Sequence, residues 1–160
     1  MKLTVLGSGT GLPSLIRGSP GFFLELDNGK NVLLDIGPGT LRRLLEIGKT
    51  VNDIDYIFLS HFVHPDHSND LIGLFFILHH KDLLSLINYS RAEPIVLFCG
   101  KGFKEFYKKL IEAFNGRVDA GDKLVVKEMD EEEINFEDLN IKVINVKHEK
   151  ESRAFKIEQK

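Results

Sequence analysis

The chain has 160 residues, 42% of them hydrophobic and 28% charged, with a formal net charge of −3. That length supports one domain spanning 1–160 with its own core, and the near balance of charge gives no electrostatic reason to expect nucleic-acid binding over the surface as a whole. A nucleotide substrate stays open, because a local patch can differ from the net charge. No apolar run reaches membrane-spanning length, and "MKLTVLGSG" enters a strand pattern with no signal segment ahead of it. The single cysteine, Cys99, excludes an internal disulfide and fits a reducing compartment, so a cytoplasmic location is expected. At the end of "PIVLFC" it reads as a small buried filler.

In chain order, "KLTVLG" reads as a short strand. "GFFLELDNGKNVLLDIG" reads as two strands joined at Asn28-Gly29, a hairpin-type turn. The glycines of "GSGTG" invite a dinucleotide-binding reading with Asp27 downstream. The following "LPSLIRGSPG" carries Pro13, Gly18, Pro20 and Gly21 where that fingerprint needs a helix, so a glycine-rich loop is the better reading. "PGTLRRLLEIG" spaces Leu41, Leu44, Leu45 and Ile47 as a helix, with Gly48 as its stop. "IDYIFLS" is a strand that runs into a histidine cluster. Ser68, Asn69 or Asp70 then offers a cap for a helix through "LIGLFFILHH". "EPIVLFC" is a strand and "KGFKEFYKKLIEAFNG" an amphipathic helix ending at Gly116. Lys101 and the glycines at its start could hold an anion, although a plain strand-to-helix turn is the simpler reading. Lys101, Lys104, Lys108 and Lys109 form a basic, solvated helix face. "MDEEE" reads as a solvated turn, and "KLVVKEM", "NIKVINVKH" and "RAFKIEQ" as strands. Hairpins early and helix-alternating strands later predict an α/β fold with a mixed sheet covered by helices.

"LSHFVHPDHSND", residues 59 to 70, holds three of the six histidines and two aspartates. His64, Asp66 and His67 fall at a strand-to-helix turn. Imidazole and carboxylate suit zinc, and also iron or manganese, and a turn can aim neighbouring side chains at one point where a strand would send them to opposite faces. Pro65 fixes its own φ and stiffens the turn between the ligands. His79 and His80 end a helix, where positive charge suits the macrodipole, and are not assigned to a metal.

"FLSHFVHPDHSNDL" resembles the His-x-His-x-Asp-His motif of the metallo-β-lactamase superfamily. "VLGSGTGLPSLIRGSPGFFLEL" and "VLLDIGPGTLRRLLEIG" are similar to the opening of its ribonuclease Z-like and phosphodiesterase-like branches. "VINVKHEKESRAFKIE" resembles the later segment that carries a further metal-binding histidine, here His148. The resemblance implies an αββα sandwich and a two-metal, zinc-type hydrolase. One ion would take His61, His64 and His148, the other Asp66 and His67, with Asp35 of "LLDIG" supporting the site from behind. A metal-bound hydroxide would attack a phosphodiester or other ester, of a small molecule or of a nucleotide or RNA, with Asp66 in the catalytic constellation.

The sequence departs from the pattern in two ways. Its spacing is His61-x-x-His64-x-Asp66-His67, one residue longer than the motif. If His64 is aligned, Phe62 stands where the first ligand belongs, and only a one-residue bulge around Val63 would return His61 to the ion. The family also continues beyond the segment equivalent to Lys160 with a bridging aspartate and a last histidine, and Asp122 of "AGDKL" precedes His148 and is out of order. The expected fold is therefore the first sheet of the sandwich with its helices, leaving an apolar sheet face to be covered by a homo-oligomeric mate or by a second polypeptide completing the fold. The alternative function is a catalytically inactive metal-binding or assembly protein.

Overall fold

The computed structural model describes residues 1–136 and 139–160. Strands β1 (Lys2–Gly7), β2 (Gly21–Glu25) and β3 (Asn31–Leu34) form an antiparallel meander. The β2–β3 turn is the one expected at Asn28-Gly29: Gly29 has φ 82°, and the Leu26 N–H donates to the Lys30 carbonyl at 2.9 Å. From β3 onward the pairing turns parallel, through β4 (Tyr56–Phe58), β5 (Ile95–Gly100) and β6 (Leu124–Met129), giving one six-stranded sheet in the order β1-β2-β3-β4-β5-β6. Helices make the parallel connections, as chain geometry requires. α1 (Thr40–Glu46) joins β3 to β4. The short α2 (Pro65–Ser68), α3 (Asp70–His79) and α4 (Lys81–Leu86) join β4 to β5, and α5 (Phe103–Ala113) joins β5 to β6.

The two faces of this sheet belong to different cores. Phe23, Leu33, Ile57 and Leu97 stand side by side across β2 to β5 and meet the helices through Leu44, Leu71, Leu74, Phe75 and Phe103. One residue along each strand, Leu24, Val32, Phe58 and Phe98 point to the other face. Burial on both faces explains why these strands are continuously apolar rather than alternating.

That second face corrects one expectation. It is not left bare: β7 (Glu133–Asn135), β8 (Leu139–Asn145) and β9 (Arg153–Gln159) form a separate antiparallel sheet against it. Leu139, Ile141 and Val143 of β8 are buried against Phe58, Phe98 and Met129, and the Phe155 ring stands edge-on to Phe58 at 5.5 Å. The chain thus includes part of the second sheet of the sandwich. The acidic run turns at Asp130–Glu132, as expected, and β7 begins at its last residue, Glu133, a strand the sequence pattern did not announce. What remains uncovered is narrower. Leu3 and Val5 of β1, on the face shared with Leu24, are 58% and 56% exposed, and β9 is an edge strand among the described residues.

A second difference concerns the cap of α3. Neither Asn69 nor Asp70 caps it through a side chain. Instead the Asp70 carboxylate accepts the Leu41 N–H at 3.0 Å in the first turn of α1, so it ties two helices together, and the Ser68 hydroxyl donates to the Phe62 and His64 carbonyls at 3.0 and 3.2 Å. Competition for hydrogen-bonding side chains between elements is what sequence spacing alone does not resolve.

Candidate metal centre

The site is built where β4 leaves the sheet. Leu59 is the last residue bonded across to β5, its N–H donating to the Phe98 carbonyl at 2.9 Å. The next residues turn out of the sheet, and α2 restarts regular structure with Pro65 in its first turn, a position where the missing N–H costs nothing. Two anchors hold the intervening loop. The Phe62 ring packs against Phe103 and Phe106 of α5 at centroid distances of 5.2 and 5.4 Å, and Ser68 closes the loop from below.

These anchors resolve the spacing question. The loop from His61 to His64 absorbs the additional residue, Phe62 points into apolar surroundings, and Val63 is 50% exposed. His61 is buried, 3% exposed, with Nε2 only 3.0 Å from Nδ1 of His64. His148, in the β8–β9 connection, joins them, and one ring nitrogen from each of His61, His64 and His148 lies within 4.8 Å of the others. Tetrahedral zinc ligands about 2.1 Å from the ion stand about 3.4 Å apart, so small side-chain movements would gather all three. The chemistry of the set, three imidazoles with nitrogens converging, fits such an ion.

Asp66 and His67 form a neighbouring pair, with His67 Nε2 3.7 Å from the Asp66 carboxylate. Behind them stands Asp35, at the end of β3 and buried, which takes the left-handed backbone region at φ 56°, rare for a residue other than glycine but tolerated by Asp. Its carboxylate accepts from the Ser60 N–H at 2.7 Å, from the Ser60 hydroxyl at 2.8 Å and from His67 Nδ1 at 2.7 Å. Ser60 Oγ is in turn 3.1 Å from His61 Nδ1. One carboxylate therefore fixes His67 directly and His61 through a hydroxyl, which is how ligating histidines are commonly oriented. Ser60 was not singled out from the sequence. The signal was a hydroxyl side chain directly before the first histidine, and its meaning depends on Asp35 arriving from another strand.

The electrostatics differ around the cluster. Burial, reinforced by His67, lowers the pKa of His61 and keeps the ring neutral, the form that binds metal. The hydrogen bond to Asp35 raises the pKa of His67 against the opposing effect of burial. Close packing completes the seat. A Cβ on Gly37 would lie 1.9 Å from the Asp66 carbonyl, so α2 can rest on this residue only because it is glycine. The Ile36 N–H bonds the His67 carbonyl at 2.8 Å. The glycine-rich loop after β1 lies alongside, as expected, with Gly11 against the Asp66 side chain.

Other candidates resolve as structural features. At the start of α5 the anion is the chain's own, since Glu128 accepts the Gly102 and Lys104 N–H groups at 3.0 and 2.9 Å. Cys99 is buried, and desolvation pushes its thiol well above the usual range, so it is inert. His79 is engaged with the Asp119 carbonyl at 2.9 Å and His80 packs on Phe76.

The chain is 31% identical over 156 residues to ribonuclease Z of Nanoarchaeum equitans, a match covering 98% of this chain and 46% of that protein. Ribonuclease Z of Picrophilus torridus is 29% identical over 99% of this chain and 48% of its own length, so the chain spans about half the length of these curated relatives. Among solved structures, human tRNase Z, short form, superposes with a TM-score of 0.78 at 23% identity, covering 99% of this chain and 65% of that one. The metallo-β-lactamase fold protein YhfI from Bacillus subtilis gives 0.77 at 19% identity, covering 98% and 58%. The family model described as metallo-beta-lactamase superfamily matches residues 17–141. The chain belongs to the metallo-β-lactamase superfamily.

Proposed function

We propose that this chain carries the metal-binding part of a metal-dependent hydrolase that cleaves a phosphodiester, with RNA or a nucleotide as the substrate class. The observation that carries this reading is the convergence of His61, His64 and His148 beside the Asp66–His67 pair. Ribonuclease Z as the name of the curated relatives supports the substrate class. So does a cavity of about 420 Å³ bordered by Gly11, Arg17, Thr40, Arg42, Arg43 and Glu46, with Gly11 against Asp66; an anionic backbone there would compete with Glu46, which pairs with Arg42 at 3.3 Å and Arg43 at 2.7 Å.

In this reading His61, His64 and His148 hold one zinc ion, and Asp66 with His67 holds a second; iron and manganese suit the same donors. When bound, the ions supply Lewis acidity and a water of lowered pKa. The chain's own residues do the rest. Asp35 and Ser60 fix the rings of His67 and His61, Asp66 adds a carboxylate facing the reaction space, and Arg42 and Arg43 hold the phosphate beside it once it displaces Glu46 from them. No helix among the described residues is long and apolar enough to cross a membrane, and a reducing cytoplasmic setting suits the buried, unpaired Cys99.

The test is metal content per chain together with hydrolysis of a simple aryl phosphodiester. Two ions per chain with turnover supports the hydrolase. One ion or none without turnover supports a second reading, an inactive metal-binding or assembly protein. That reading draws on the exposed Leu3 and Val5 and on the free edge of β9, which suit a second copy of the chain or a second polypeptide that extends the smaller sheet. Sedimentation at micromolar concentration separates associated from monomeric protein.

A further inference from the structure

We infer that Glu149 is the positioning residue for His64, an inference that rests on the proposed metal centre. A histidine that offers one ring nitrogen to an ion needs an acceptor for the N–H on the other, or its ring and tautomer drift. The histidines of this site meet that need differently. His61 turns Nε2 toward the cluster and rests Nδ1 on Ser60 Oγ at 3.1 Å. His67 rests Nδ1 on Asp35 at 2.7 Å. His64 is reversed: its Nδ1 faces His61, so its Nε2 points away from Asp35 and Ser60. The oxygen it meets is Oε1 of Glu149, at 3.6 Å. That is an ion-pair separation rather than a hydrogen bond, of the kind that tightens when a site closes on its ligand.

His64 needs such a hold. It sits at the head of α2 in an extended conformation, makes no side-chain capping bond and is 41% exposed at its side chain. Glu149 is well placed to supply it, because its backbone is fixed. Its N–H donates to Ser152 Oγ at 3.1 Å and its carbonyl accepts the Ser152 N–H at 3.2 Å. The turn is locked one step further by Glu151, at φ 63°, whose carboxylate accepts from the Lys101 N–H at 3.2 Å and the Arg153 guanidinium at 2.6 Å. Adjacent residues of one anchored loop thus deliver a ligand, His148, and the clamp for another, His64. The two are coupled: a shift of this loop moves both.

Three proteins test the inference: wild type, Glu149→Ala and Glu149→Gln. Zinc affinity is read by competition with a chromophoric chelator, and solvent exchange of the His64 Nε2–H by ¹⁵N NMR of the zinc-loaded chain. The expected result is a slowly exchanging Nε2–H in zinc-loaded wild type, a faster-exchanging one in E149A, and zinc binding on the order of tenfold weaker in E149A. E149Q, whose amide oxygen accepts the same N–H, should return to within about threefold of wild type on the same scale. Unchanged affinity and unchanged Nε2–H exchange in E149A overturn the inference. A loss in E149Q as large as in E149A also overturns it, since the carboxylate would then be acting through its charge on the ion. Failure of wild type to bind zinc overturns the metal centre and the inference with it, whereas zinc binding that E149A leaves unchanged overturns the inference alone.

Discussion

The two sides of the candidate metal centre are made differently. On the Asp35 side the polar groups are bonded, and Asp35 and His61 are buried: Asp35 takes three hydrogen bonds, Ser60 bridges to His61, and the backbone of Ile36 is stitched to His67. On the His64–His148 side the rings are half-exposed or exposed, and a carboxylate 3.6 Å away is the nearest support for His64. The first side is organised before any ion arrives. The second acquires its final geometry on binding, so the free energy of ordering it is drawn from metal affinity. Substitutions on the first side should therefore appear in folding stability, and on the second in metal binding.

The largest effect is expected at Asp35. Replacing it with alanine strands the Ser60 N–H, the Ser60 hydroxyl and His67 Nδ1, and leaves a β-carbon at φ 56° without the compensating bonds. At about 1 kcal/mol for each of three lost bonds, Asp35→Ala should lower unfolding stability by about 3 kcal/mol. Denaturant titration of metal-free protein measures it, and a loss below about 1 kcal/mol would show that Asp35 matters to the ion only. Next comes metal binding. His64→Ala and His67→Ala should each lower the metal bound per chain. His64→Ala should change metal-free stability by less than about 1 kcal/mol because the ring is half-exposed. Retention of full metal content in both variants would sink the assignment of the site.

How much of this was legible in the sequence follows the same division. The strands, the Asn28-Gly29 turn and the helices announced themselves because their signals are local: apolar runs, glycines with positive φ, and 3.6-residue spacing. The cluster of histidines and Asp35 was legible as residue types in a known order. The loop closure was not. Whether His61 rejoins the ion depends on Phe62 finding Phe103 and Phe106 on α5, which lies forty residues downstream. The second sheet was partly missed for a related reason. Leu139, Ile141 and Val143 alternate as a strand should, but no local pattern says which sheet a strand joins. Ser60 and Glu149 acquire meaning only when Asp35 and His64 are brought beside them.

A third, smaller effect is expected from pH. The folded-state pKa of His67 lies above its ordinary value of 6.5 because Asp35 holds the protonated ring. Its contribution to stability is therefore complete below about 6.5 and is lost as pH rises through the raised folded value. His61 has the opposite sign: its pKa is lowered, so its contribution is present above 6.5 and fades as pH falls through the lowered value. In the proposed centre His67 gives up its proton to bind metal, so zinc affinity should climb as pH rises through the raised His67 value. Chelator competition across that range checks the slope, and the His67→Ala variant should flatten it. A flat wild-type profile would mean that His67 is neutral before the ion arrives.

The smallest effect distinguishes the length of the loop from its chemistry. Val63 is the residue that lengthens the motif, yet its side chain is half in solvent while Phe62 carries the packing. Val63→Ser should change stability by less than about 0.5 kcal/mol and leave metal content unaltered. Phe62→Ala removes a ring wedged between two phenylalanines, and should cost about 2 kcal/mol and loosen the His61–His64 approach. If Val63→Ser instead lowered metal content as Phe62→Ala does, the additional residue would be acting through its own contacts beside His64. If neither change touched metal binding, the His61–His64 loop would be held by Ser68 and its two carbonyl bonds alone, and the aromatic anchor would belong to the α5 packing rather than to the site.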